Sequence, residues 1–330
     1  MESLENAAHK ADLIARLNAF LADDLARVDA HILAILESDT ELVREVGDYI
    51  RAHQGKRLRP ILAILSSRAF GYDGSDHAKV AAALELVHTA TLLHDDVIDK
   101  APLRRGHPTV NARWGDDVAI LIADYLYSEA FHLAHDALPP QVIRLICKVT
   151  AKMCEGELFQ IEKRSDLLTR DDYMRIVRGK TAYLFSACAS LGSLLASATE
   201  AESAMLADFG LNFGIAFQIT DDTLDLAAGD SDTGKQHWTD IRNGKQTLPL
   251  IHTFAVAEPH DRSELLACWN NGRDPERIMG MIRKYRGIEY ALDEARDFAA
   301  AARGRLGFLP PSEARDLMAE ISEYVVSRTA

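Results

Sequence analysis

His77–Asp99 reads HAKVAAALELVHTATLLHDDVID, and its reading decides the fold. Apolar residues cover almost every side of the helix it predicts: Val80, Ala81, Leu84, Leu86, Val87, Ala90, Leu92, Leu93, Val97 and Ile98. A helix that is hydrophobic all round is a buried, central one. Yet this one ends in Asp95, Asp96 and Asp99, and burying such an end requires a polar, ion-filled opening. At the spacing Asp-Asp-x-x-Asp the outer two carboxylates stack on one face and the middle one lies about 100° round. Like charges so close raise one another's pKa and oppose helix formation, so a hard divalent cation is the natural counter-charge.

Phe217–Asp225, FQITDDTLD, repeats the pattern with Asp221, Asp222 and Asp225. One such triplet arises by accident in roughly a quarter of chains this long. Two, both ending apolar helical runs, are much harder to attribute to chance. Each is followed by a basic loop: KAPLRRGHP over Lys100–Pro108, with Arg104 and Arg105, and Gly229–Gly244, with Lys235, Arg242 and the adjoining Lys245. Paired arginines in such a loop are forks for diphosphate oxygens.

On either side of these motifs nearly every segment has helical periodicity and none has strand-like alternation. The expectation is one all-α domain over residues 1–330, whose first fifty residues form helices packed on the core or on a second copy. Further helices are expected near Asp117–Ala137, Gln141–Arg164, Asp171–Ser197 and Ala201–Ala228, with a kink or close approach at Gly179. GKRLRP over Gly55–Pro60 opens a helix with Pro in its first turn. Cations are disfavoured at a helix N-terminus, so Lys56, Arg57 and Arg59 there point to a bound anion. His88, two turns above the first Asp cluster, lies within reach of the same opening.

With 330 residues and 48% hydrophobic content the chain buries a large core. A net charge of −13 argues against a nucleic-acid partner. Cys147, Cys154, Cys188 and Cys268 are scattered without a CxxC pair, which fits a reducing compartment. No stretch spans a membrane and no signal peptide is evident, so a soluble, cytoplasmic chain is expected.

Two acidic clusters ringed by Lys and Arg suit a diphosphate bridged by Mg²⁺, which prefers a few carboxylates plus substrate oxygens. No Walker loop, dinucleotide fingerprint or nucleophile–His–acid set appears. The diphosphate therefore reads as a leaving group, and the product of its departure is a carbocation in an apolar helical tunnel.

The motifs GKRLRP, HTATLLHDDVID, LRRGHPTVN, GKTA, FQITDDTLDL and GKQTLPL stand in the order found in trans-prenyl diphosphate synthases, and the chain most resembles the long-chain polyprenyl group that makes quinone side chains. The resemblance implies an orthogonal helix bundle around a central cavity, a homodimer, and three Mg²⁺ held by Asp95, Asp99, Asp221, Asp222 and Asp225, with Asp96 completing the first motif. It implies that Lys56, Arg59, His88 and Arg105 bind isopentenyl diphosphate. Arg104, Lys180, Thr181, Gln218, Lys235 and Lys245 would hold the allylic diphosphate, of farnesyl or geranylgeranyl length. Dipoles near Lys180, Thr181 and Gln218 would stabilise the cation, and the pyrophosphate would take the proton. Contact with a membrane would serve product release. Two positions depart from the pattern: Trp238 stands where the loop after Lys235 usually has Gly, and Ala123 where Gly precedes Asp124.

A helix advances about 5.4 Å per turn, close to one isoprene unit. Growth from the Asp cluster should pass Ala90 and Thr91, then Val87. Short-chain relatives carry a bulky aromatic on that first turn, so its absence implies a deeper floor, assigned here to Phe131. The competing readings are a farnesyl or geranylgeranyl synthase and a non-catalytic subunit of a heteromeric synthase. A terpene cyclase and an EF-hand are excluded by the second motif and by the missing loop Gly and Glu.

Overall fold

The computed structural model describes residues 2–135, 139–227 and 238–327, with side chains from Lys10 onward. The chain is helical almost throughout: α1 Glu2–Leu36, α2 Glu41–Ala52, α3 Leu58–Ala69, α4 Asp76–Ile98, α5 Val110–Trp114, α6 Asp116–His135, α7 Pro140–Glu162 and α8 Arg170–Val177. One turn of π-helix, Arg178–Ala182, joins α8 to α9 Tyr183–Leu195. Then come α10 Glu200–Ala227, α11 Thr239–Arg242, α12 Leu248–Val256, α13 Pro259–Asn270, α14 Pro275–Lys284, α15 Gly287–Gly304 and α16 Glu313–Ser327. The all-α expectation holds. Among the described residues a two-residue hairpin, β1 Leu103–Arg104 with β2 His107–Pro108, is the sheet. Periodicity gave no sign of it, because it is made by backbone dihedrals: Arg105 and Gly106 both have positive φ, 53° and 80°, as a type I′ turn demands.

The chain forms two compact units. The first comprises Met1–Thr150, Ala187–Ala207 and Phe308–Met318. Its centre is α4, which packs on α1, α3 and α6. Ala81, Ala82, Ala83 and Leu84 are all buried, four consecutive positions that span the whole circumference. The three small alanine side chains let neighbouring helices approach closely. Each large apolar residue buried here, such as Leu62, Leu65 or Leu126, contributes about 1.5–3 kcal/mol. The start of α4 is tied to α1 by Asp24, whose carboxylate accepts two bonds from Arg68, at 3.0 and 2.9 Å, and lies 2.9 Å from the buried His77 ring.

The second unit comprises Ala151–Ser186, Asp208–Gly307 and Ala319–Ala330. One cluster of its core gathers Tyr173, Met174, Val177, Ala182, Ile215, Ile219, Leu248 and Ile251. The kink expected at Gly179 is the π turn, and its cause is packing. A Cβ on Gly179 would stand 2.6 Å from the Gly156 Cα, and one on Gly214 would stand 2.6 Å from the Ala182 Cα. Glycines on α7 and α10 therefore bring both helices against the turn backbone to backbone. Capping is local and legible: Thr169 and Asp172 form a reciprocal capping box, and Pro259 and Pro275 begin their helices. No described helix is long and apolar enough to cross a membrane.

Candidate active site

In the first unit the acidic end of α4 is the last turn of a buried helix. Helix C-termini carry partial negative charge, so carboxylates there are doubly disfavoured without cations. The three aspartates solve this differently. Asp96 is 4% exposed and accepts from Arg104: Nε donates to both oxygens at 3.0 Å and Nη2 lies 2.9 Å from Oδ1. Burial raises the Asp96 pKa, and Arg104 works against that rise. Asp95 is half-buried and Asp99 exposed, and these two carboxylates, four residues apart, lie on one side of the turn.

The basic residues lie at the start of α3 and in the hairpin. Arg57 adopts φ 55° just before the helix and pairs with Asp29. Lys56 is exposed. Arg59 Nη1 donates to His88 Nε2 at 2.9 Å. Burial, then the charges of Arg59, Arg105 and Arg104, hold the His88 pKa well below its ordinary value, so the ring is a neutral acceptor. Arg105 projects from the hairpin turn and donates to the His53 carbonyl at 3.2 Å. Its guanidinium lies over Gly55, where a Cβ would stand 2.5 Å from Nη2. That glycine is a space requirement. Glu85, one turn before His88, is a further member that the sequence did not single out: burial raises its pKa against the charges of Arg59, Arg57 and Arg105.

Of the chain-length positions, Val87 and Ala90 are wholly buried. Thr91 is half-buried, one turn before Asp95 on the same face, and its hydroxyl donates to the His88 carbonyl. Across from α4, Asp124 approaches His94 at 3.5 Å and Tyr127 stacks on the same ring. Phe131 is stacked on Tyr127 one turn farther along α6.

In the second unit the end of α10 is arranged in the same way. Asp221 is exposed, Asp222 buried and Asp225 half-buried. Asp222 accepts from Tyr173 Oη at 2.7 Å, from Gln218 Nε2 at 2.9 Å and from Lys245 Nζ at 2.8 Å. Asp225 accepts from the Asp240 amide at 3.0 Å, tying α11 to α10. Burial, with the charges of Asp222 and Asp225, pushes the Asp240 carboxyl up to about 7 despite Lys245. Gln246, next to Lys245, is anchored by accepting from the Leu168 amide and donating to the Asp166 carbonyl. On the π turn, Lys180 pairs with Glu157 of α7 at 2.5 Å, and Thr181 Oγ1 donates to Gln218 Oε1 at 2.7 Å.

Trp238 occupies a left-handed backbone position, φ 59°, which is the physical reason a glycine suits that place. The strain is offset by packing against Leu226 and Ile241 and by an indole N–H donated to the Leu226 carbonyl. Lys235 lies outside the described residues.

The structure puts Arg104 beside the first aspartate triplet and Lys245 and Gln218 beside the second. The sequence did not single out Tyr173, Glu157, Asp240 or Gly156, whose partners lie far along the chain, and it showed Gly55 as a motif letter without its role as space for Arg105. The donor chemistry fits hard divalent cations: Asp95, Asp99 and Asp221 present carboxylates, and Asp225 offers a second oxygen beside Asp221. The set His260, Asp261 and Glu264 also brings potential ligand atoms within 4.8 Å of one another, but Asp261 already accepts from Lys284 and Tyr285.

An all-helical protein with acidic motifs at the ends of two apolar helices, each with arginine or lysine beside it and with neutral dipoles nearby, belongs to the class of enzymes that handle a diphosphate leaving group. The sequence pattern of the polyprenyl synthetase family matches residues 40–284. The octaprenyl diphosphate synthase of Escherichia coli K12 is 35% identical over 317 residues, 95% of this chain and 98% of that one. A decaprenyl diphosphate synthase from Rhodobacter capsulatus superposes with a TM-score of 0.90 at 36% identity, covering 96% of this chain and 99% of that one. A polyprenyl synthase from Caulobacter crescentus, solved with calcium and isoprenyl diphosphate, gives 0.89 at 34% identity, with 96% and 98% covered. More distant relatives carry names of geranylgeranyl length, or of one component of a heptaprenyl synthase. The chain belongs to the polyprenyl synthetase family and is a prenyltransferase of a magnesium-dependent family.

Proposed function

We propose that the protein adds isopentenyl diphosphate repeatedly to an allylic diphosphate of farnesyl or geranylgeranyl length, releasing pyrophosphate at each step and finally a long-chain all-trans polyprenyl diphosphate. Residues 1–330 act as one catalytic domain. Lys56, Arg59, His88 and Arg105 bind isopentenyl diphosphate. Arg59 supplies a fixed fork, and His88, kept neutral, holds that fork by accepting from it. Arg104, Lys180, Thr181, Gln218, Lys235 and Lys245 hold the allylic diphosphate. Three magnesium ions, held by the two aspartate motifs Asp95–Asp99 and Asp221–Asp225, would neutralise charge developing on the departing pyrophosphate.

One observation carries the reading. Beside the diphosphate-binding Lys180, the Thr181 hydroxyl and the Gln218 amide are fixed together at 2.7 Å. An allylic cation needs oriented dipoles near it and no strong nucleophile, and these two groups are of that kind. The carbon–oxygen bond of the allylic substrate breaks, the isopentenyl double bond supplies the electron pair for the new carbon–carbon bond, and the proton lost in restoring a double bond passes to a pyrophosphate oxygen.

For product length the support is the small first turn. Thr91 is the half-buried residue in line with Asp95, and Phe131 stands a turn beyond Tyr127 on the neighbouring helix. A homodimer acting in the cytoplasm, touching a membrane as product leaves, completes the proposal. The test is purified protein with labelled isopentenyl diphosphate, Mg²⁺ and each primer, followed by sizing of the dephosphorylated products. Products longer than geranylgeranyl are expected. A stop at farnesyl or geranylgeranyl length would overturn the long-chain reading, and turnover that requires a second gene product would favour the component reading that one relative's name suggests.

A further inference from the structure

The core of the second unit holds a tyrosine that lies outside all six of the quoted motifs. Tyr173 lies on α8 and is 3% exposed, and its phenol donates to Asp222 Oδ2 at 2.7 Å. Asp222 is equally buried, and its other oxygen accepts from Gln218 and Lys245. A carboxylate offers about four acceptor sites, and three are occupied here by protein donors. An ionised carboxylate only accepts, so the Gln218 NH₂ must face it, and the Gln218 carbonyl must then face Thr181. The amide orientation is thus fixed chemically from both ends. Burial, then the charge of Asp222, keeps the Tyr173 phenol well above its ordinary pKa, so it stays a donor at any working pH.

We infer that Tyr173 is a positioning residue: through Asp222 it holds the Gln218 amide and the Lys245 ammonium in place, and Asp222 serves as the hub of this network instead of as a metal ligand. Asp221 is exposed and Asp225 half-buried, so their carboxylates lie where a cation can reach them. Without the phenol, Asp222 is free to rotate about its χ2 and to take both neighbours with it. The carbonyl dipole proposed to face the developing cation is then held from the Thr181 end alone. Because that dipole matters most in the transition state, the loss falls on kcat more than on ground-state binding.

This inference rests on the proposed condensation, and the experiment separates the two. Tyr173→Phe keeps the ring in its apolar cluster with Ile215 and Ile219 and removes only the hydroxyl. Wild-type turnover is the control for the condensation itself. With it in hand, Tyr173→Phe is expected to lower kcat at least tenfold. The KM for isopentenyl diphosphate should stay within threefold, and the calorimetric affinity for a non-ionising thiolo analogue of the allylic diphosphate with Mg²⁺, which also reads the displaced Lys245, should fall by less than kcat does. Asp222→Asn should lower kcat further without raising the Mg²⁺ concentration for half-maximal analogue binding, and the double variant should be no worse than Asp222→Asn alone. A Tyr173→Phe enzyme with kcat within twofold of wild type would overturn the positioning role. So would losses that multiply in the double variant. A tenfold rise in the Mg²⁺ requirement of Asp222→Asn would return that carboxylate to the metal site.

Discussion

Gly179→Ala separates the geometry of the site from the stability of the fold. The new Cβ would stand 2.6 Å from the Gly156 Cα and 3.3 Å from its nitrogen, both of them backbone atoms that cannot rotate away. Carbon pairs rest at about 3.5–4.0 Å, so α7 and the π turn must part by roughly 1 Å. Overpacking of this kind costs about 1–3 kcal/mol, and the better helix propensity of Ala returns about 1 kcal/mol. The net loss of stability is then at most about 2 kcal/mol, and the protein stays folded. The same displacement moves Lys180 relative to Glu157, and Thr181 relative to Gln218, where the present bond is 2.7 Å. A misplacement of about 1 Å at reacting groups costs on the order of 10²-fold in rate. Urea denaturation and steady-state kinetics on one preparation read both quantities. A folded Gly179→Ala enzyme with kcat within threefold of wild type would refute the claim that the glycine contact sets the position of these groups.

Three further outcomes are expected. Thr91→Tyr should shorten the product to farnesyl or geranylgeranyl length with little loss of stability, since Thr91 is half-buried, whereas Ala90→Phe forces a ring into a fully buried position and should cost about 1–3 kcal/mol as well; an unchanged product ladder from Thr91→Tyr would sink the tunnel path. Gly55→Ala displaces only the flexible end of Arg105, so unfolding should shift by no more than about 0.5 kcal/mol while the KM for isopentenyl diphosphate rises roughly tenfold, and an unchanged KM would count against Arg105 as a contact. Burial lowers the pKa of His77 and His88 below 6.5, so the unfolded chain binds more protons than the folded one as pH falls beneath that value. The share of stability owed to each ring should be full above pH 6.5 and fall below it by up to about 1.4 kcal/mol per pH unit until the folded pKa is reached, while the raised Asp240, Glu85 and Asp96 carboxyls work in the opposite direction. Urea melts of wild type and His77→Gln from pH 7.5 to 5 isolate one ring, and a difference between the two that does not change with pH would contradict it.

What lies close along the chain was legible in the sequence. The buried nature of α4 follows from apolar residues on every side, and its acidic end from three letters within five positions. Helix starts at Pro259 and Pro275 and the cap at Thr169 involve neighbours within one turn. Trp238 shows the limit of pattern reading. It is a departure from the family by its letter, and the structure keeps at that place the left-handed backbone that a glycine would favour.

The all-helical class, the two acidic helix ends and the basic loops follow from the order of residues alone, because a helix brings residues three and four apart together whatever surrounds it. Only the tertiary structure decided which aspartate of each triplet turns inward. Asp96 meets Arg104 across a hairpin that exists through its dihedrals, and Asp222 meets Tyr173 from 49 residues away. Partners so distant are chosen by how helices cross, and here the crossing is set at Gly156, Gly179 and Gly214 by atoms that are not there. An absent Cβ leaves no hydrophobic period and no charge to read, and it is still what holds Lys180 and Thr181 in position.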